Sequence, residues 1–115
     1  MYRFSYAEVL EDTPLTSRQR ERVAVEHSIE LLQAAEEHGP KSREAIEAVY
    51  FVRRLWAIFI EDLAKPENEL PPSLRADLIS IGLWVMREAD EIRLGNSDNF
   101  RGLVAVSKLI AEGLE

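Results

Sequence analysis

The sequence predicts an all-α fold: a small antiparallel bundle of four helices preceded by a short N-terminal leader. Three observations carry this. Strand signals are nearly absent beyond the leader. Helix start and stop residues recur along the chain, at Thr13-Pro14, Gly39-Pro40, Ser42, Pro66, Pro72 and Gly95. Apolar residues between those signals repeat with helical spacing. The most apolar stretch, Glu44 to Leu63, has side chains of this kind over more than half of its helical circumference. A surface helix needs a stripe only about 100° wide, so this helix is read as central, with cover on several sides.

The leader has two readings. Ser5 and Glu8 form an S-x-x-E capping pattern that would start a short helix over residues 6 to 11. The alternation of Tyr2, Phe4 and Tyr6 equally suits an extended segment. Thr13-Pro14 then opens a helix that runs to about His38, with Val25, Ser28, Ile29, Leu32 and Ala35 on its apolar face. Gly39-Pro40 stops it and Ser42 caps the central helix. In the central helix, Val49, Val52, Trp56, Phe59 and Leu63 lie mid-stripe, with Phe51, Leu55 and Ile58 widening it.

Pro66 ends that helix. The third begins near Pro72 or Ser73 and ends at Gly95, with Leu74, Leu78, Ile81, Val85 and Ile92 as its core stripe. Gly82 lies beside the stripe, where it costs about 1 kcal/mol relative to alanine. The close approach of another backbone would explain it. The loop Gly95-Asn96-Ser97-Asp98 is short, which predicts a last helix antiparallel to the third. Phe100, Leu103, Val104, Ser107, Ile110 and Leu114 form its inward face.

At 115 residues the chain suits one domain, residues 1–115, large enough to bury a core. It has no cysteine, so disulfides and thiolate metal sites are excluded. The N-terminus lacks the continuous apolar run of a secretory signal. The near-apolar run from Val49 to Ile60 is too short and, with Arg53 and Arg54, too charged to span a bilayer. A cytoplasmic protein fits these features. The net charge of −7 repels phosphate backbones and disfavours nucleic acid as a direct partner.

Motifs for chemistry are missing. The residues three before His27 and His38 are Ala24 and Ala35, so there is no Glu-x-x-His pair for a di-iron bundle. HExxH, GxxxxGK[ST], GxGxxG and GxSxG do not occur. The pairs Glu36-Glu37, Glu61-Asp62 and Asp90-Glu91 read as solvated helix faces. His27 reads as a solvated residue, and His38 as a cation at a helix C-terminus. Catalytic residues, cofactors and metals are not expected.

Surface residues are more informative. Arg53 and Arg54 interrupt the apolar segment; they either pair with acidic side chains or snorkel to solvent, or one of them binds a partner's carboxylate. Trp84 faces away from its helix's core stripe, among Asp77, Ser80, Glu88 and Glu91. Either the leader covers it, or it belongs to a binding patch, where tryptophan and tyrosine are enriched. Phe51 and Ile58, one heptad apart, read as core cover or as a seam for a homo-oligomer.

Four blocks complete the reading: YAEVLED (Tyr6 to Asp12), EAVYFVRRLWAIFIEDLA (Glu47 to Ala64), LPPSLRADLISIGLWV (Leu70 to Val85) and SDNFRGL (Ser97 to Leu103). In this order and spacing they resemble the bacterial flagellar biosynthesis regulator FlaF family. The resemblance covers nearly the whole chain and is weakest over Thr13 to Lys41. It implies a non-enzymatic protein that promotes flagellin synthesis and export, binds flagellin as a secretion chaperone, and works with or against FlbT, a repressor of flagellin translation. The family supplies no catalytic residues. The candidates for contact with a partner are Phe4, Tyr6, Trp84, Phe100 and Arg101, with an inward core role as the stronger reading of Phe100. An RNA-associated regulator of flagellin mRNA is the competing reading, and an enzyme has nothing in its favour.

Overall fold

A computed structural model describes residues 17–114. Four helices account for most of them: α1 (Ser17–His38), α2 (Arg43–Ala64), α3 (Pro72–Arg93) and α4 (Phe100–Gly113). The described residues contain no strand. The expected leader helix, the Thr13-Pro14 start and the aromatic residues Tyr2, Phe4 and Tyr6 lie outside the described residues.

Each boundary has a local chemical cause. Gly39 follows α1 at φ +98, which glycine adopts without steric cost. The Ser42 hydroxyl accepts from the Ala45 amide at 3.1 Å and so satisfies one orphan donor at the start of α2. Lys65 closes α2, one residue before Pro66. Pro72 occupies the first helical position of α3, where its missing N–H costs nothing. At the other end of α3, the Asn96 amide reaches back to the Glu91 carbonyl at 2.8 Å and the Gly95 amide to Ile92 at 3.1 Å. With Gly95 at φ +83, these bonds form a Schellman stop. Asn99 caps α4 through its Oδ1, which accepts from the Gly102 amide at 3.0 Å.

α2 is the central helix, as its broad apolar face predicts. It packs against α1 on one side and α3 on the other. Contacts along neighbouring helices run in opposite order, as antiparallel neighbours require. Arg75 near the start of α3 donates to the Lys65 carbonyl at 3.1 Å, while Asp90 near its end lies 3.9 Å from Arg53. On the other side, His38 lies 3.9 Å from Glu44, and Glu21 senses the charge of Asp62.

α4 departs from expectation. It packs chiefly on α1 and touches α3 only slightly. The short loop does not fold α4 back along α3; the Schellman stop and the Asn99 cap turn it as a corner. Arg101 of α4 accordingly meets Glu36 of α1 at 2.7 Å.

The main core joins all four helices through Leu32, Ala35, Val49, Val52, Trp56, Val85, Ala89, Ile92, Phe100 and Leu103. A second cluster, Ala24, Val25, Phe51, Leu55 and Ala111, joins α1, α2 and α4. Ser28 is buried with them, and its hydroxyl donates to the Val25 carbonyl at 2.6 Å, which offsets its desolvation. Leu74, assigned to the core stripe, is exposed. It sits at the level where α2 ends, so little helix remains to cover it. Gly82 is buried, but side chains rather than backbone approach it: a Cβ there would lie 2.8 Å from Trp56 Cε3 and 2.9 Å from Ile60 Cγ1.

Candidate partner-binding surface

The sequence-derived candidates occupy very different environments. Phe4 and Tyr6 lie outside the described residues. Phe100 is 2% exposed and belongs to the main core, so in this fold it presents no surface to a partner. Its helical face made that outcome legible. Arg101 is open to solvent, with a side chain 88% exposed, and its Nε donates to Glu36 Oε2. Trp84 is half-buried and packs against the main core. Its ring is large enough to reach the core from the flank of α3, so its polar wheel neighbours do not mean full exposure. The leader proposed as its cover is outside the described residues.

The paired readings of the other residues also separate. Phe51 is buried in the second cluster, edge-on to the His27 ring at a centroid distance of 4.9 Å. It is core cover and gives no seam; Ile58 alone of that pair is exposed. His27 is therefore half-buried against an aromatic ring rather than fully solvated, with Glu30 at 3.5 Å from its Nδ1. His38 lies in the last turn of α1, and its Nδ1 donates to the Ala34 carbonyl at 2.9 Å. That bond, and then the Glu44 carboxylate, raise its pKa above the ordinary 6.5. Glu21 also titrates above its usual range, because burial disfavours its charge and Asp62 adds repulsion.

Arg53 pairs with Asp90 across α2 and α3. Arg54 is exposed, as the solvent-reaching reading expects, and pairs with no described carboxylate. Its Nη1 donates to the Tyr50 hydroxyl at 3.2 Å, and its guanidinium stands 5.7 Å from the centre of the Tyr50 ring.

That contact marks a surface the sequence reading missed. The start of α2 and the end of α3 enclose a groove of about 210 Å³ lined by Pro40, Ala45, Ile46, Val49, Tyr50, Arg53, Ile92 and Arg93. The groove opens into a shallower depression of about 620 Å³ that shares Pro40, Ile46, Ile92 and Arg93. Its floor, Ala45, Val49 and Ile92, is core. Its apolar rim is open: Ile46 is 67% exposed, Tyr50 63%, and Leu94 in the adjoining depression 56%. Ile46 and Tyr50 are one turn apart on α2, and this i, i+4 spacing was visible in the sequence. Among the described residues, no three His, Asp or Glu side chains converge to hold a metal, and no helix is long and apolar enough to cross a membrane.

Fold and surface together define a class: a small four-helix, all-α protein with apolar side chains left open at a corner between two helices. Within that class the chain belongs to a known family. It matches the flagellar protein FlaF family over residues 2–114, which confirms the resemblance carried by the four sequence blocks. Neither the curated proteins nor the solved structures contain a match to the chain.

Proposed function

We propose that this flagellar protein acts without catalysis, as a cytoplasmic regulator that promotes flagellin synthesis and export. It binds flagellin as a chaperone and works with or against FlbT. Membership of the FlaF family is the observation that carries this reading. The physical support is the open apolar rim at the α2–α3 corner. Flagellin's terminal segments are amphipathic and assemble as helices in the filament. A helical protein with an apolar groove can shield such a segment by taking its i, i+3, i+4 and i+7 anchors. Engagement by flagellin would also couple supply to synthesis, because the share of protein left free for FlbT would fall as flagellin accumulates.

Titration calorimetry with purified flagellin, alone and with FlbT, tests the proposal. Saturable binding in either case is the expected result. No heat of binding in both would remove the chaperone role.

A further inference from the structure

The groove between α2 and α3 has a sign as well as a shape. Lys41, Arg53, Arg54 and Arg93 stand around it, against Asp90 and Asp98. Asp90 is shared: Arg93 reaches it at 2.9 Å and Arg53 at 3.9 Å, so one carboxylate faces two guanidinium groups. Among the described residues, Arg54 is held by the hydroxyl and ring of Tyr50 alone. The nearby Glu47 and Glu44 are engaged elsewhere, by Arg43 at 3.7 Å and His38 at 3.9 Å. The first turn of α2 and the last turn of α3 meet here, and their dipole ends oppose each other. Side chains therefore decide the local charge. Among the residues that line the groove and its adjoining depression, three cations, Lys41, Arg53 and Arg93, stand against one carboxylate, Asp98, in a chain whose net charge is −7.

We infer that this groove receives an amphipathic helix from a partner protein, one whose apolar anchors are flanked by carboxylates. The apolar anchors would sit on Ala45, Val49 and Ile92 between Ile46 and Tyr50. Carboxylates beside them would meet Arg54 and the Arg53–Arg93 pair, where guanidinium groups offer forked donors. The rest of the acidic chain would repel the same partner, which sets register and favours this corner over other apolar positions such as Leu109. The inference rests on the proposed role as a protein-binding regulator and adds the location and charge of the contact.

The test uses the full chain and two fluorescent helical peptides. One has leucines at i, i+4 and i+7 flanked by glutamates; its twin has lysine for each glutamate. Anisotropy should show the glutamate peptide binding at least about tenfold more tightly at low salt, with the gap narrowing as salt screens the rim. Ile46→Asp and Tyr50→Ala should each weaken it by about tenfold, as loss of a central anchor does. Arg54→Glu should shrink the preference for glutamate. All three side chains are exposed, so circular dichroism should show the fold intact.

Equal binding of both peptides, binding of neither, or binding indifferent to Ile46→Asp would overturn the inference. So would a dimer in sedimentation that Ile46→Asp dissolves, since the occupant would then be a second copy. If flagellin binds parent and Ile46→Asp chains alike, this groove is wrong and the chaperone role survives. If the glutamate peptide binds the groove and flagellin binds nowhere, the groove survives and the chaperone role falls.

Discussion

Gly82→Ala should destabilise this protein, although it replaces glycine with the best helix former in the middle of a long helix. Gly82 is buried on α3, facing α2. The added methyl would lie 2.8 Å from Trp56 Cε3 and 2.9 and 3.0 Å from Ile60 Cγ1 and Cδ1. Carbon atoms rest comfortably about 3.5–4.0 Å apart, so one wall must retreat by about 0.5–1 Å. Ile60 can turn. Trp56 cannot easily: it is 3% exposed and held edge-on to Phe59, with ring centres 5.4 Å apart. Overpacking of this kind costs about 1–3 kcal/mol, while alanine returns about 1 kcal/mol of helix propensity. The net expectation is a loss of about 1 kcal/mol, or about 4 °C in Tm for a chain of this length.

Urea unfolding followed by far-ultraviolet circular dichroism measures this directly, with a lower midpoint at unchanged slope as the expected result. Gly113→Ala serves as control. It lies in the last turn of α4 with nothing within 4 Å of its would-be Cβ, so it should be neutral or slightly stabilising. Ile60→Ala supplies the coupling test, because it removes two of the three clashing atoms. In that background Gly82→Ala should cost less than in the parent. A Gly82→Ala protein more stable than the parent, or one equally costly with Ile60 truncated, would refute the close-approach argument.

Two further outcomes follow from the caps and charges. Asn99→Ala should cost about 1 kcal/mol through loss of the α4 cap. Gly102→Ala should also destabilise, because its Cβ would press on the Asn99 amide, 2.9 Å from Cγ. With Asn99 already alanine, Gly102→Ala should turn neutral or favourable, which equilibrium unfolding of the double variant would reveal. For His38, the folded state binds the proton more tightly than the unfolded chain. Its stabilising contribution is therefore complete below the ordinary pKa of 6.5 and disappears as pH rises through the folded value. Titration by NMR should find that Glu44→Gln lowers the pKa only in part, because the Ala34 carbonyl is the larger cause. A return to the ordinary value would make Glu44 the dominant partner instead.

Most of the fold was legible because its signals are local. Ser42, Gly39, Pro72 and Gly95 act through bonds within one turn, so a reader of the sequence can place them to within a residue or two. The breadth of the α2 face told correctly that it would be covered from several sides. Neighbour choice was less legible. A short connection predicts adjacency, yet α4 lies on α1, because the apolar faces of α1 and α4 fit the second core cluster where α3 does not reach. Leu74 and Trp84 mislead for the same reason: a helical wheel gives direction and says nothing of where the covering helix stops or how far a large ring extends.

The open groove was harder to see for a more basic reason. On a helix apolar over most of its circumference, Ile46 and Tyr50 read like any other contributor to the core. Only the placement of α1 and α3 leaves their sector open, at the edge shared with Arg53 and Arg54. The arginines were the usable signal. Burying a guanidinium is costly, so an Arg-Arg pair inside an apolar run points to incomplete cover: Arg54 is exposed, while Arg53 is half-buried, bridges to Asp90 and keeps its Nε buried without a hydrogen-bond partner. Arg54 uses the Tyr50 ring and hydroxyl in place of a carboxylate. Phe100, equally aromatic and beside an exposed arginine, is no surface because it lies on the inward face of α4 within the main core.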